Sequence, residues 1–241
     1  MNRPVSERTV EIPWLMDTIR AIRPKELLDV GYAGGWYLEQ ILDMGISCYG
    51  LDSDIGRMSG KSLQVDDKKK TEWTKIAKRM LTCIADITKY PEDGQENLSF
   101  PVVMCISTIE HIVPCGYQNN SDIDMESDIK AAINMKKLIA DGGSLMLTFP
   151  CGNEHFFYNK ERKTPLDHPK FEAGNYDLMV YGRERIDMLV GDWKVVDKKF
   201  WARQNGVGNG FEECGEDVAL CKVPIVTIPV QAVCAIRMVA K

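Results

Sequence analysis

The chain has no apolar run of the roughly 18 residues that a membrane-spanning helix requires, so no span is expected anywhere in residues 1–241. Its opening, MNRPVSERTVEIPW, lacks the apolar core of a secretory signal. No CxxC pair occurs among the eight cysteines, so no zinc signature exists. An excess of basic charge is missing too. With a formal net charge of −5, the chain as a whole gives no reason to expect a nucleic-acid partner. There is also no internal repeat and no low-complexity tract. Cys48, Cys83, Cys105 and Cys234 fall in apolar, strand-like runs and read as reduced thiols filling a core, which points to the cytoplasm.

What is present is an ordinary globule, 44% hydrophobic and 27% charged, long enough at 241 residues for one domain with a full core. The stretch TVEIPWLMDTIRAI predicts an extended lead-in, because Pro13 favours an extended residue before it, and then a helix. ELLDV, SCYGLD, LTCIAD, VVMCIST and SLMLTFP read as strands. Between them WYLEQILDM, TEWTKIAKRM and DIKAAINMKKLI read as helices, the first closed by Gly45. RERIDMLV is a further helix, and WKVVDKKFW and VQAVCAIRMVA are the last strands. Strand and helix alternate from Leu27 to Phe200, which predicts an open α/β sheet, mostly parallel, with helices on both faces. VVMCIST is apolar at nearly every position, as a parallel strand covered on both sides must be. The segment Cys151–Tyr181 shows no clear periodicity and is long for a plain connection. The run Asp66–Lys70 mixes both signs of charge and reads as a solvated loop.

The stretch LLDVGYAGGWYLEQILDMGISCYGLDSD poses the functional question. It is a strand, a glycine turn, a helix and a second strand ending in acid. Dinucleotide dehydrogenases use this layout with a GxGxxG turn, but aligned on Gly31 the third glycine position is Trp36. Read as GxGxG, the turn offers Gly31, Ala33 and Gly35. Asp29, two residues before the turn, can anchor a cationic amino end and would repel a pyrophosphate. Asp52, ending the second strand, can accept hydrogen bonds from both hydroxyls of a ribose.

With LLDVGYAGGWYLEQIL, CYGLD, CIADI, VVMCISTIEHI, LIADGGSLMLTFP and QAVCAIRMVAK in this order, the chain resembles the class I S-adenosylmethionine-dependent methyltransferases over about four fifths of its length. It is most similar to small-molecule and sugar methyltransferases with a Glu-x-Pro-Trp-like stretch, here Glu11–Trp14. The resemblance implies a Rossmann-like, seven-stranded sheet with an antiparallel last strand, in a single domain spanning 1–241. Residues 1–24 would form a lead-in over the active site and 151–185 an acceptor-side segment. It implies S-adenosylmethionine as cofactor and a small polar acceptor, a sugar or metabolite hydroxyl. Gly31, Tyr32, Ala33 and Gly35 would line the methionine part and Asp52 the ribose. Asp86 and Ile87 would meet the adenine, and Ser107–His111 would border the methyl group. Two departures, Ala33 for the middle glycine and Pro101 for an aspartate opening the fourth strand, keep open a catalytically silent partner subunit. A nucleotide-dependent oxidoreductase is the remaining alternative.

A hydroxyl acceptor needs a proton sink, and His111 at the end of the fourth strand is the expected base. Glu110 beside it would orient the imidazole only against the tendency of adjacent helical residues to point apart. Glu11, Trp14, His155 and Tyr181 are expected on the acceptor side. His168 shares the irregular segment. Tyr37, Phe156 and Phe157 are aromatic candidates better suited to packing, whereas Tyr32, inside the glycine turn, has no evident core to join. The acidic cluster Ser121–Asp128 reads as a helix lead-in, and no metal is expected.

Overall fold

A computed structural model describes residues 6–32, 35–53, 76, 78–90, 98–112, 124–159, 171–174, 178–204, 210–224 and 230–240. Ala33, His168, the 66–70 charge run and most of the helix expected over 71–80 lie outside the described residues.

The chain opens with α1 (Arg8–Ile22), followed by β1 (Glu26–Val30), α2 (Tyr37–Asp43), β2 (Ser47–Asp52) and β3 (Leu81–Ile84). β4 (Phe100–Ile106) leads through a 3-10 turn, Ile109–His111, to α3 (Ser127–Lys137) and β5 (Ile139–Cys151). Then come β6 (His155–Asn159), β7 (Phe171–Gly174), β8 (Leu178–Val180), α4 (Arg183–Val190) and β9 (Trp193–Arg203). β10 (Phe211–Cys214), α5 (Glu216–Leu220) and β11 (Ala232–Ala240) complete it. No described helix is long and apolar enough to cross a membrane.

Eight strands form the main sheet in the order β10-β9-β11-β5-β4-β1-β2-β3. β5, β4, β1, β2 and β3 run parallel, and β11 runs antiparallel to both β5 and β9. The sequence-predicted strands therefore pair as expected, with one more edge strand than the seven anticipated, because β10 adds antiparallel to β9. Alternate residues of each central strand feed opposite cores. Val103, Cys105, Leu145 and Leu147 face α3 and α4, while Val102, Met104, Ile106 and Met146 face α1 and α2. This two-sided burial is why VVMCIST carries no polar face.

Three expectations are corrected. The lead-in is helical from Arg8, with Pro13 inside α1. Proline costs the helix one hydrogen bond, but the face bearing Ile12, Trp14, Leu15, Met16 and Ile19 is buried, and that packing outweighs the local preference. The described residues of the segment after β5 are largely ordered into strands: β6, β7 and β8 form a second sheet in the order β7-β6-β8. Cys83 is exposed on the edge strand β3, whereas Cys48, Cys105 and Cys234 are buried free thiols. Pro101 sits where the β4–β5 register shifts, between Phe100 and Val102, a place that tolerates a residue without an N–H.

Candidate active site

Gly31 ends β1 with φ 78°, a conformation that favours glycine. Its N–H donates to Leu51 O at 2.7 Å, tying the turn to β2. A side chain is excluded sterically as well, since a Cβ here would lie 2.1 Å from Thr108 Cγ2. Gly35 closes the turn, its N–H donating to Tyr32 O at 3.0 Å, and Leu38 N–H donates to Gly35 O as α2 begins.

Two carboxylates flank this turn. Asp29 is wholly buried, accepts from the Tyr37 hydroxyl at 2.8 Å through Oδ2, and has no hydrogen-bond partner for Oδ1. Burial pushes its pKa up to about 8, against the lowering effects of the Tyr37 hydrogen bond and Arg8, with Asp52 adding repulsion. Asp52, also buried, ends β2. Ala85 N–H donates to Asp52 O, which carries the chain past the end of β3 to Asp86. Asp86 Oδ1 accepts from Thr88 N at 3.0 Å and Thr88 Oγ1 at 2.7 Å, and Oδ2 lies 3.7 Å from Lys89 Nζ. Ile87 is buried, and its carbonyl accepts from Asn134 Nδ2.

Tyr32 does have a core to join, contrary to the sequence reading. Its ring lies against Gly50, where a Cβ would come within 2.6 Å of Tyr32 Cδ1. Burial and the Asp52 charge push its hydroxyl up to about 12. Tyr37, Phe156 and Phe157 are buried packing residues, and Tyr37 has the added task of holding Asp29.

The turn after β4 is braced from four directions. Ser107 N–H donates to Thr148 Oγ1 at 3.0 Å on β5, and Ser107 Oγ donates to Glu11 Oε1 at 2.6 Å on α1. Thr108 Oγ1 donates to Gly31 O at 3.3 Å, and the Tyr181 hydroxyl donates to Ile109 O at 3.3 Å. His111 is 30% exposed at the side chain, and its Nε2 lies 4.0 Å from Oε1 of buried Glu110. The tight 3-10 turn thus brings two adjacent side chains together that an α-helix would have separated. Burial holds Glu110 well above the ordinary carboxylate range, with Glu11 and Glu7 adding repulsion and Arg8 opposing it.

The residues expected on the acceptor side separate. Glu11 is 0% exposed, lying beneath Ser107 with Arg8 Nη1 3.5 Å from its Oε2. Burial raises its pKa, and Arg8 and Ser107 oppose the rise. Trp14 is buried and donates Nε1–H to Asp197 Oδ2 at 2.8 Å on β9. Tyr181 is 0% exposed, its ring 4.6 Å from that of Phe149. Each of these three, expected on the acceptor side, is enclosed by its own partners and braces the interior. His155 opens β6, with its ring 4.7 Å from that of Phe157. Thr148 was missed in the sequence, and Arg8 and Thr108 fell inside expected segments, 1–24 and Ser107–His111, without a task of their own. Arg8 and Glu11 stand three residues apart and would have signalled a helical ion pair had the lead-in been read as helix. Among the described residues no group of His, Cys, Asp and Glu gathers into a metal-binding cluster.

No protein-family model matches the chain, and no curated protein matches it. Solved structures do. An S-adenosylmethionine-dependent methyltransferase from Clostridium acetobutylicum is similar over 98% of this chain and 93% of its own, with a TM-score of 0.57 and 10% identity. The PH0226 protein of Pyrococcus horikoshii OT3 is similar over 97% of this chain and 89% of its own, with a TM-score of 0.56 and 12% identity. The glycopeptide N-methyltransferase MtfA, in complex with S-adenosylmethionine, is similar over 96% and 94%, with a TM-score of 0.53 and 11% identity. At such identities the likeness establishes architecture: the chain has the Rossmann-like fold found in S-adenosylmethionine-dependent methyltransferases.

Proposed function

We propose that this protein transfers a methyl group from S-adenosylmethionine to a hydroxyl of a small polar acceptor, in the cytoplasm. The observation that carries the reading is the pair of buried carboxylates beside the left-handed Gly31, at the carboxyl edge of a sheet whose fold is shared with methyltransferases. Asp29 Oδ1 is a buried acceptor without a donor, and a ligand with a cationic amino end supplies one. In this reading Asp52, at the end of β2, takes the ribose hydroxyls and Asp86 with Ile87 borders the base, while Gly31, whose missing side chain lets Thr108 close against the turn, shapes the loop under the methionine part. The residues present thus fit the cofactor, whose sulfonium supplies an already activated methyl group.

The protein's remaining task is to hold the acceptor in line and remove its proton. Well-oriented proximity contributes roughly 7–11 kcal/mol to such a step. His111, partly exposed on the turn after β4, accepts the hydroxyl proton in this reading, with Glu110 behind its Nε2.

Calorimetry with S-adenosylhomocysteine and with NADH tests the assignment. Micromolar affinity for the former supports it; tight NADH binding without any response to S-adenosylhomocysteine would end it. His111→Ala should leave the S-adenosylhomocysteine affinity nearly intact while lowering methyl transfer by ~10²-fold or more.

A further inference from the structure

Among the described residues only two other than glycine have positive φ, Arg23 and Ser107. Arg23 is the C-cap of α1, where a left-handed residue is ordinary. Ser107 is different. It follows β4 directly, at φ 43°, and starts the turn that carries His111. A serine held in this region at the edge of a site needs its surroundings to impose the conformation.

The imposing contact comes from 96 residues away. Ser107 Oγ donates to Glu11 Oε1 at 2.6 Å, a short bond to a wholly buried acid. Arg8 fixes the same acid, with Nη1 3.5 Å from Glu11 Oε2 and 3.4 Å from the Ile106 carbonyl just before Ser107. The next residue, Thr108, fills the space where Gly31 lacks a side chain and donates to Gly31 O. Any rotation at Ser107 therefore moves Thr108 against the glycine turn.

We propose that Glu11 is a positioning residue: by holding Ser107 in its left-handed conformation it sets the Ser107–His111 turn against the Gly31 turn, without touching cofactor or acceptor. This rests on the methyltransferase reading for its significance, since the two turns are the cofactor and acceptor borders of that site. The rival explanation is that Glu11 merely supports α1 through Arg8.

Glycine at 107 separates the two, because it adopts positive φ without help. The expected result is that Glu11→Ala weakens S-adenosylhomocysteine binding by ~10-fold in the Ser107 protein and by less than ~2-fold further in the Ser107→Gly protein. Equal losses in both backgrounds, or no loss in either, would overturn the proposal. Should Glu11→Ala not fold, Ser107→Ala and Ser107→Gly give the same decision with Glu11 intact. Both lose the hydroxyl, so alanine should bind ~10-fold more weakly than glycine, and equal affinities would refute the role. Glu11→Gln, whose amide oxygen still accepts from Ser107, should restore binding to above that of Glu11→Ala. The backbone amide resonances of Gly31 and Thr108 in the ligand-free protein provide an independent readout. They should move in Ser107→Ala and Glu11→Ala and move less when Glu11→Ala is added to Ser107→Gly. If the unmutated protein bound no S-adenosylhomocysteine, the functional reading would fail while these resonances still decided the role of Glu11.

Discussion

The Tyr37 hydroxyl donates to Asp29 Oδ2 at 2.8 Å inside the protein, eight residues along the chain and across the glycine turn. Burial raises Asp29 to about 8, so at neutral pH it is largely protonated when no ligand is bound. A ligand that brings a cationic amino end must drive that proton off. S-adenosylhomocysteine binding at pH 7 should therefore release a proton, seen as a calorimetric heat that depends on the buffer's own protonation heat. Affinity should strengthen as pH rises from ~6 to ~8. Asp29→Asn should abolish the dependence. Tyr37→Phe removes a bond that favours the ionised carboxylate, so it should shift the dependence to higher pH.

The same group sets a stability slope of opposite sense. An unfolded aspartate titrates near ~3.9, and the folded one is raised to about 8. The stabilising contribution of the protonated form is complete below the unfolded value and is lost as pH rises through the folded one. The ligand-free protein should lose stability between pH ~4 and ~8 from this group, and Asp29→Asn should flatten that part of a urea-denaturation profile against pH.

Gly31→Ala combines a positive φ with a Cβ 2.1 Å from Thr108 Cγ2. It should destabilise the fold by at least about 2 kcal/mol in chemical denaturation. Thr108→Ala in the same chain should recover part of that loss, because it removes the colliding methyl group but leaves the backbone strain.

Arg185 Nε donates to Asp128 Oδ2 at 3.0 Å, and its Nη2 reaches Asp128 Oδ1 and the Met125 carbonyl. Asp128 is fully buried, so Arg185→Ala strands a charge between α3 and α4. A loss of about 3–5 kcal/mol is expected by denaturation. Arg185→Met with Asp128→Leu should cost less than Arg185→Ala alone.

Trp14→Phe removes the bond to Asp197 while keeping an aromatic ring in the core. Stability should fall by about 1–3 kcal/mol. S-adenosylhomocysteine affinity, measured by calorimetry, should stay within ~2-fold, as suits a brace with no role in binding.

The main sheet was legible because two-sided burial leaves a plain mark: VVMCIST and SLMLTFP have almost no polar positions, and the glycines at 31 and 45 punctuate the first unit. RERIDMLV was equally clear, its buried Ile186 and Leu189 at helical spacing. The second sheet was not, because β6–β8 are three to five residues long and pair mostly with one another, so none builds a periodic signal. The helix through Pro13 was hidden because the deciding contribution is burial against the sheet, which no local preference encodes. In the candidate site, the positions of Gly31, Asp29 and Asp52 were readable from the strand–turn–helix unit that carries them. Glu11 was visible as a residue but not in its task, because its partner Ser107 lies 96 residues on. The hydrogen bond from the Tyr181 hydroxyl to the Ile109 carbonyl was hidden for the same kind of reason, 72 residues separating the two.

Among the described residues the second sheet joins the main one at one β-bridge, Cys151 to Tyr181, reinforced by Gly152 N–H donating to the Tyr181 carbonyl. Its ladders are otherwise internal, β6 with β7 and β6 with β8. In evolutionary terms this makes it an exchangeable part. Because none of these ladders includes β5, changes at the positions of this second sheet that do not pack into the main core leave the register of β5 with β4 and β11 untouched, so lineages can diversify them while inheriting the main sheet unchanged. Phe156, Met179 and Tyr181 are exceptions: the first two pack into the main core, and Tyr181 sets its ring on Phe149 of β5 and its hydroxyl on the turn that carries His111. Divergence in this region should therefore stop at those residues.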